Sequence, residues 1–236
     1  MKTSMQVIIT LVVIAVIGFG IYEISKKNST ATNTNTASQG TSDTSAPVMI
    51  TDPAQKSILQ PKSDDLVNGI STAAVTLVEY SDFQCPYCVR FGQTMEQIMA
   101  NYPGQVKWIY RHYPLSFHQN ALGAAKAAEA ANRQGKFVEF SEKLLANSQS
   151  DGAGIAATDL QKYATDLGLN IDQFNKDIAD QAIVDKINAN QKSGDDLKIE
   201  GTPASYIIDT KGNIEALSGA LPYDELKAKI DAALKN

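Results

Sequence analysis

Two cysteines, two histidines and one tryptophan are all that the 236 residues hold of these types. With Cys85 and Cys88 alone, a disulfide-stapled scaffold and a four-thiolate metal site are both excluded. A mixed zinc site would have to recruit His112 and His118, which stand in no ligand motif, so no metal is expected. Excess basic charge is also missing. A net charge of −5 and a pI near 5.1 give no support for nucleic-acid binding. No internal repeat is visible. Nine Tyr, seven Phe and a hydrophobic fraction of 43% are ample for the core of one domain.

One long apolar run is present. Val7 to Tyr22 carries no charge, and at about 1.5 Å per residue it comes close to a bilayer core, on the short side. A cleavable signal peptide or a buried helix are the alternatives. No clean small-x-small site follows before Lys26, and no cysteine follows that would make a lipoprotein anchor. Residues 1–27 are therefore expected to be an uncleaved signal anchor. Lys2 on one side and Lys26 and Lys27 on the other leave its orientation open. From Asn28 to Ala46 the chain is Ser, Thr, Asn, Ala and Gln with hardly any apolar residue. Such composition cannot offset its ordering entropy, so residues 28–57 are expected to be a disordered linker with a reach on the order of 30 Å.

The folded part is expected over 58–236. Ala74 to Tyr80 reads as a buried strand, and Val89, Phe91, Met95, Ile98 and Met99 follow at helical spacing until Pro103-Gly104 stops the helix. Val106 to Tyr110 alternates as a second strand, continuing toward Pro114. Strand, helix and strand within so short a span argue for a right-handed βαβ unit with parallel pairing. A strand-free section follows, expected to be a helical insertion over about 116–195. It contains Asn120 to Arg133, Phe137 to Leu145, a helix capped at Thr158-Asp159, and one from Asn170 to near Gly194. Ala204 to Ile208 and Ile214 to Leu217 read as a hairpin around Asp209–Asn213, and Pro222 to Leu234 as a terminal amphipathic helix.

Cys85-Pro86-Tyr87-Cys88 lies between the first strand and the first helix of this unit. Alone, a Cys-x-x-Cys is compatible with half a zinc site, a structural disulfide or a redox pair. A bridge closing so short a loop would contribute little stability, and the strand before and helix after favour redox chemistry.

Val-Glu-Tyr-Ser-Asp-Phe-Gln-Cys-Pro-Tyr-Cys (Val78 to Cys88), Arg-His-Tyr-Pro-Leu (Arg111 to Leu115) and Gly-Thr-Pro-Ala (Gly201 to Ala204) together resemble the DsbA-like thiol–disulfide oxidoreductases of the thioredoxin superfamily. The resemblance covers roughly Asp64 to the C-terminus. It implies an α/β thioredoxin fold with an inserted α-helical domain, outside the cytoplasm, and so an anchor with its N-terminus inside. It places Glu79 as a buried acid behind the thiols, to which proton transfer with Cys88 is assigned. It also makes the Thr202–Pro203 bond cis, beside the cysteines and facing substrate. Asp82 and Phe83 are expected on the same rim. His112 and His118 are expected to be structural.

A thiol at a helix start meets unpaired N–H groups and the positive end of the helix dipole, which stabilise a thiolate. Cys85 is thus the expected nucleophile and Cys88, one turn inward, the resolving thiol. Pro86 and Tyr87 set the field between them, and Tyr87 departs from family members with a histidine there. The expected activity is a membrane-anchored, single-pass oxidoreductase that introduces disulfides into thiol-containing secreted or surface proteins. No cofactor beyond the Cys85–Cys88 pair is expected. The resemblance implies reoxidation by a quinone-linked membrane partner. The alternatives are a reductase or isomerase fed by a membrane reductant, and a non-enzymatic metal-binding or adhesive module.

Overall fold

The structure is a computed structural model that describes residues 46–236. The anchor expected at 1–27 and most of the expected linker lie outside the described residues. The end of that linker does not: Val48–Ile50 forms strand β1 and Pro53–Leu59 forms helix α1. Both have local reasons. The Asp52 carboxylate caps α1 by accepting the Ala54 N–H at 2.8 Å, and Pro53 suits the first helical turn. Leu59, wholly buried, fastens the helix to the sheet. The polar composition before Ala46 therefore ends earlier than the reading to Ser57 supposed.

A single six-stranded sheet organises the rest, in the order β1-β6-β5-β3-β4-β2. β3 (Val75–Ser81) and β4 (Val106–His112) are parallel, joined by α2 (Pro86–Asn101). β2 (Leu66–Asn68) pairs antiparallel with the outer side of β4. β5 (Ala204–Ile208) pairs antiparallel with β3, and β6 (Ile214–Leu217) with β5 and β1. All seven residues of β3 are buried, as expected of a central strand covered on both faces.

Alternation sorts these strands into two cores. Val75, Leu77, Trp108, Tyr110 and Ile207 face a large core with Phe91, Met95 and Ile98 of α2 and Leu226 and Ile230 of α8 (Tyr223–Lys235). Val78, Tyr80, Ile109, Tyr206 and Ile208 face a smaller one with Leu59 and Leu197. Glu79 and Ser81 have the parity of the first group. Five helices fill the section between β4 and β5: α3 (Ala121–Arg133), α4 (Phe137–Asn147), α5 (Ala157–Asp166), α6 (Ile171–Ile178) and α7 (Gln181–Asp196).

One detail of this section departs from expectation. The helix read from Asn170 to Gly194 is two helices. Asn170 caps α6, and Asp180 caps α7 by accepting the Ala182 N–H at 3.0 Å. The cap expected at Thr158-Asp159 is made by Asp159 from inside the first turn of α5, its carboxylate accepting the Ala156 N–H at 3.0 Å. Among the described residues no helix is long and apolar enough to cross a membrane.

Candidate active site

β3 delivers the chain to the top of the sheet at Ser81, and residues 82–84 turn it into α2. Asp82 organises the turn from inside. Its carboxylate accepts the N–H of Gln84 at 2.7 Å and of Leu115 at 2.8 Å, and it pairs with His118 Nδ1 at 2.7 Å. Gln84 ties the same turn to the helical section, accepting the Asn120 N–H at 2.8 Å. Phe83 is 1% exposed and stacks on Tyr110 with ring centroids 4.7 Å apart. Asp82 and Phe83, expected to shape the rim, thus do so from beneath, and Phe83 is plain core. Both side chains point into the protein.

Cys85 is the N-cap of α2, with Pro86 at the first helical position, where its missing N–H costs nothing. Cys88 follows one turn later with no exposed surface, and Cys85 is 4% exposed. Both thiols are free. Opposite them the Thr202–Pro203 peptide bond is cis, and Cys85 Sγ donates to the Thr202 carbonyl at 3.3 Å. Pro86 and Tyr87 are exposed outside the pair, Tyr87 with the Arg90 guanidinium 5.0 Å above its ring.

The two sulfurs have opposite electrostatic characters. The Cys88 thiol donates to Cys85, which is the largest influence lowering the Cys85 pKa to about 5 against the opposing effect of burial. The Thr202 hydroxyl adds to this, as do the backbone N–H groups of Cys88 and Tyr87. Burial pushes Cys88 well above the ordinary thiol range, and its donation to Cys85 and the Glu79 charge push it further. Glu79, 1% exposed, lies behind them on β3 and accepts the Trp108 indole N–H at 2.8 Å. Burial raises its carboxyl to about 7, with the nearby Ser81 hydroxyl and the Trp108 indole N–H working the other way. One sulfur is thus ready to attack or to leave, the other holds its proton, and an acid near neutrality lies within electrostatic reach of both.

Of the residues singled out in the sequence, Cys85, Cys88, Glu79, Pro86, Tyr87, Thr202 and Pro203 come together here. His112 instead packs against Phe83 and Tyr110, and His118 pairs with Asp82 beneath the loop. Sequence reasoning missed Ser81, Trp108 and Tyr110, which lie beside Glu79. Their signal was strand parity: the parallel register sets Glu79 opposite Tyr110 and Ser81 opposite His112.

The family model described as thioredoxin matches residues 62–232. The chain belongs to the thioredoxin family. Within it, the solved structures similar to this chain include DsbA-like thiol–disulfide oxidoreductases. A thioredoxin-like oxidoreductase from Silicibacter pomeroyi is 25% identical with a TM-score of 0.64, covering 79% of this chain and 99% of that one. α-DsbA1 from Wolbachia pipientis is 24% identical with a TM-score of 0.64, covering 76% and 95%. BdbD from Bacillus subtilis is 21% identical with a TM-score of 0.64, covering 80% and 99%. Among curated proteins, the Na(+)/H(+) antiporter NhaA 3 of Salinispora tropica is 36% identical over 162 residues, which are 66% of this chain. The matched part is only 24% of that antiporter, so the chain spans about a quarter of the curated relatives it matches.

Proposed function

We propose that this thioredoxin-family chain is a protein thiol–disulfide oxidoreductase that works as an oxidant through Cys85 and Cys88. The observation that carries this reading is the Cys85 sulfur, held toward its thiolate by the Cys88 thiol, the Thr202 hydroxyl and the start of α2. Stabilising the thiolate stabilises the reduced pair, and so makes the disulfide the stronger oxidant.

In the oxidised protein a substrate thiolate attacks Cys85 Sγ. The bond to Cys88 breaks, and Cys88 leaves as a thiolate that takes a proton from Glu79. A second substrate thiolate then attacks the substrate sulfur of the mixed disulfide, and Cys85 leaves as a thiolate. Two electrons pass from the substrate dithiol to the protein pair. The cis peptide at Thr202–Pro203 sets the Thr202 backbone beside Cys85, where an extended substrate segment can pair with it. Pro86 and Tyr87 border the approach. No cofactor beyond the cysteine pair enters this cycle. The uncharged run Val7 to Tyr22 supports attachment to the cell membrane. The DsbA-like resemblance favours an extracytoplasmic catalytic domain and a membrane redox partner, quinone-linked in the oxidising cycle, that restores the disulfide.

A reductase or isomerase fed by a membrane reductant is the second reading, and Tyr87 favours it, because a phenol between the cysteines lacks the extra donor of a histidine. Trapping tests the division of labour that both readings share. In Cys88→Ala the Cys85 thiolate should attack a disulfide-bonded substrate protein and accumulate the mixed disulfide, releasing the other substrate sulfur as a thiolate, whereas Cys85→Ala should accumulate none. Accumulation by Cys85→Ala instead would reverse the assignment.

A further inference from the structure

Among the described residues, eight buried side-chain polar atoms have no hydrogen-bond partner. Four of them belong to side chains that neighbour one another in turn: Ser81 Oγ, Tyr110 OH, His112 Nε2 and Glu129 Oε1. Buried polar groups are normally paired, and orphans cost stability. A run of them along one path is therefore a feature that packing alone does not account for.

The path starts at the redox pair. The Ser81 hydroxyl lies close enough to Glu79, Cys88 and Tyr110 to favour the ionised form of each, yet no hydrogen bond of good geometry fixes it to any one of them. Tyr110 is paired in register with Glu79 and meets the His112 ring edge-on at 5.4 Å between centroids. His112 Nε2 lies 3.3 Å from Glu129 Oε1 on α3, aligned too poorly for a hydrogen bond. The other Glu129 oxygen accepts from Lys186 Nζ on α7 at 2.8 Å, where the lysine side chain is 18% exposed and reaches the surface. Every other member is at least nine-tenths buried. The charged and titratable groups facing this path are Glu79 from β3, Cys85 and Cys88 from α2, Asp82 from the loop, Glu129 from α3 and Lys186 from α7.

We propose that Ser81, Tyr110, His112 and Glu129 relay the proton between the Cys88–Glu79 pair and solvent at Lys186. The inference rests on the oxidoreductase reading above. When Cys88 resolves a mixed disulfide, its proton passes to the Glu79 carboxylate. The Cys88 thiolate then forms the bond to Cys85 Sγ, and the substrate or probe sulfur departs as a thiolate. Glu79 must then return its proton to water, and both carboxylate and thiol are closed off from direct solvent. Hydroxyls with no fixed partner can rotate between donating and accepting, as a relay requires. An imidazole can accept on one nitrogen and release from the other. These four are positioning residues for the proton; none touches substrate.

The test uses the full chain with Cys85 loaded as a mixed disulfide with thionitrobenzoate, whose release reports attack by Cys88. It is run at about pH 6, where Glu79 is mostly protonated and must discharge through the relay before it can take the Cys88 proton. Ser81→Ala and Tyr110→Phe remove hydroxyls that no hydrogen bond holds, so they should fold with little or no loss of stability. Glu129→Gln removes the ionisable link. Each should slow release at least about tenfold and increase the solvent deuterium isotope effect, with the rate partly restored by imidazole buffer. The titration of the Cys85 thiolate should stay unchanged. Rates within about twofold of the parent, with an unaltered isotope effect in all three variants, would overturn the relay and leave the oxidoreductase reading standing. Failure of the parent protein to load at Cys85 would overturn both.

Discussion

The Cys85 sulfur is where sequence position and electrostatics meet most directly. Its place before a helix was legible because Pro86 marks a first helical turn and the apolar spacing after it is helical. Thr202 was less legible, since 117 residues separate it from Cys85 and only the fold brings its carbonyl within 3.3 Å of the sulfur. Two predictions belong at this scale. Ultraviolet titration of the reduced protein should show thiolate absorbance lost with a midpoint near 5, where an ordinary thiol gives about 8.5. In Thr202→Val the midpoint should move upward, because an isosteric methyl replaces the nearby hydroxyl that favours the charged form. An unmoved midpoint would assign the shift to the helix start and Cys88 alone. Glu79 was legible as an acid six residues before Cys85, but its burial was open until strand parity set it with Trp108 and Tyr110.

At the scale of elements, the βαβ unit and the terminal hairpin followed from periodicity and turn residues. β1 and α1 did not, because a three-residue strand and a seven-residue helix are too short to carry a period. What holds them is tertiary. Arg111 on β4 has no exposed surface and donates to the carbonyls of Ile58 and Gln60, both at 2.8 Å, while its guanidinium grips both oxygens of Asp65. In sequence Arg111 read only as part of a family motif. Here it fastens the segment after α1 across the sheet. Arg111→Met should leave the Asp65 carboxylate, only 3% exposed, buried without its partner, and should cost about 3–5 kcal/mol in urea unfolding. A loss below about 1 kcal/mol would mean that the segment is held by Leu59 and β1 alone. The split between α6 and α7 was missed for a related reason. Ile178 and Ile183 both suit one continuous stripe, and only the Asp180 cap reveals the break. Asn170→Ala, removing the cap of α6 that accepts the Gln173 N–H at 2.9 Å, should cost about 1 kcal/mol.

For the molecule as a whole, thiolate stabilisation links redox state to folding. The folded pKa of Cys85 lies below its ordinary value of 9.0, so the stabilisation of the reduced form is fully present above about 9 and is lost as pH falls through about 5. Near pH 7 about half of that range remains, worth about 3 kcal/mol. Glu79 has the opposite sign: in the reduced protein its raised pKa contributes stability below 4.5 that is lost as pH rises through about 7. Thermal or urea unfolding should therefore find the reduced protein more stable than the oxidised one at neutral pH, with the gap closing as pH approaches 5. Equal stability at all pH values would mean that the Cys85 sulfur is not held as a thiolate. The measurement that tests the central claim most directly is the reduction potential of the Cys85–Cys88 pair at neutral pH, by equilibration with glutathione. The account predicts a value nearer that of DsbA, about −120 mV, than that of thioredoxin, about −270 mV. A value at or below about −270 mV would contradict it and make the protein a reductant.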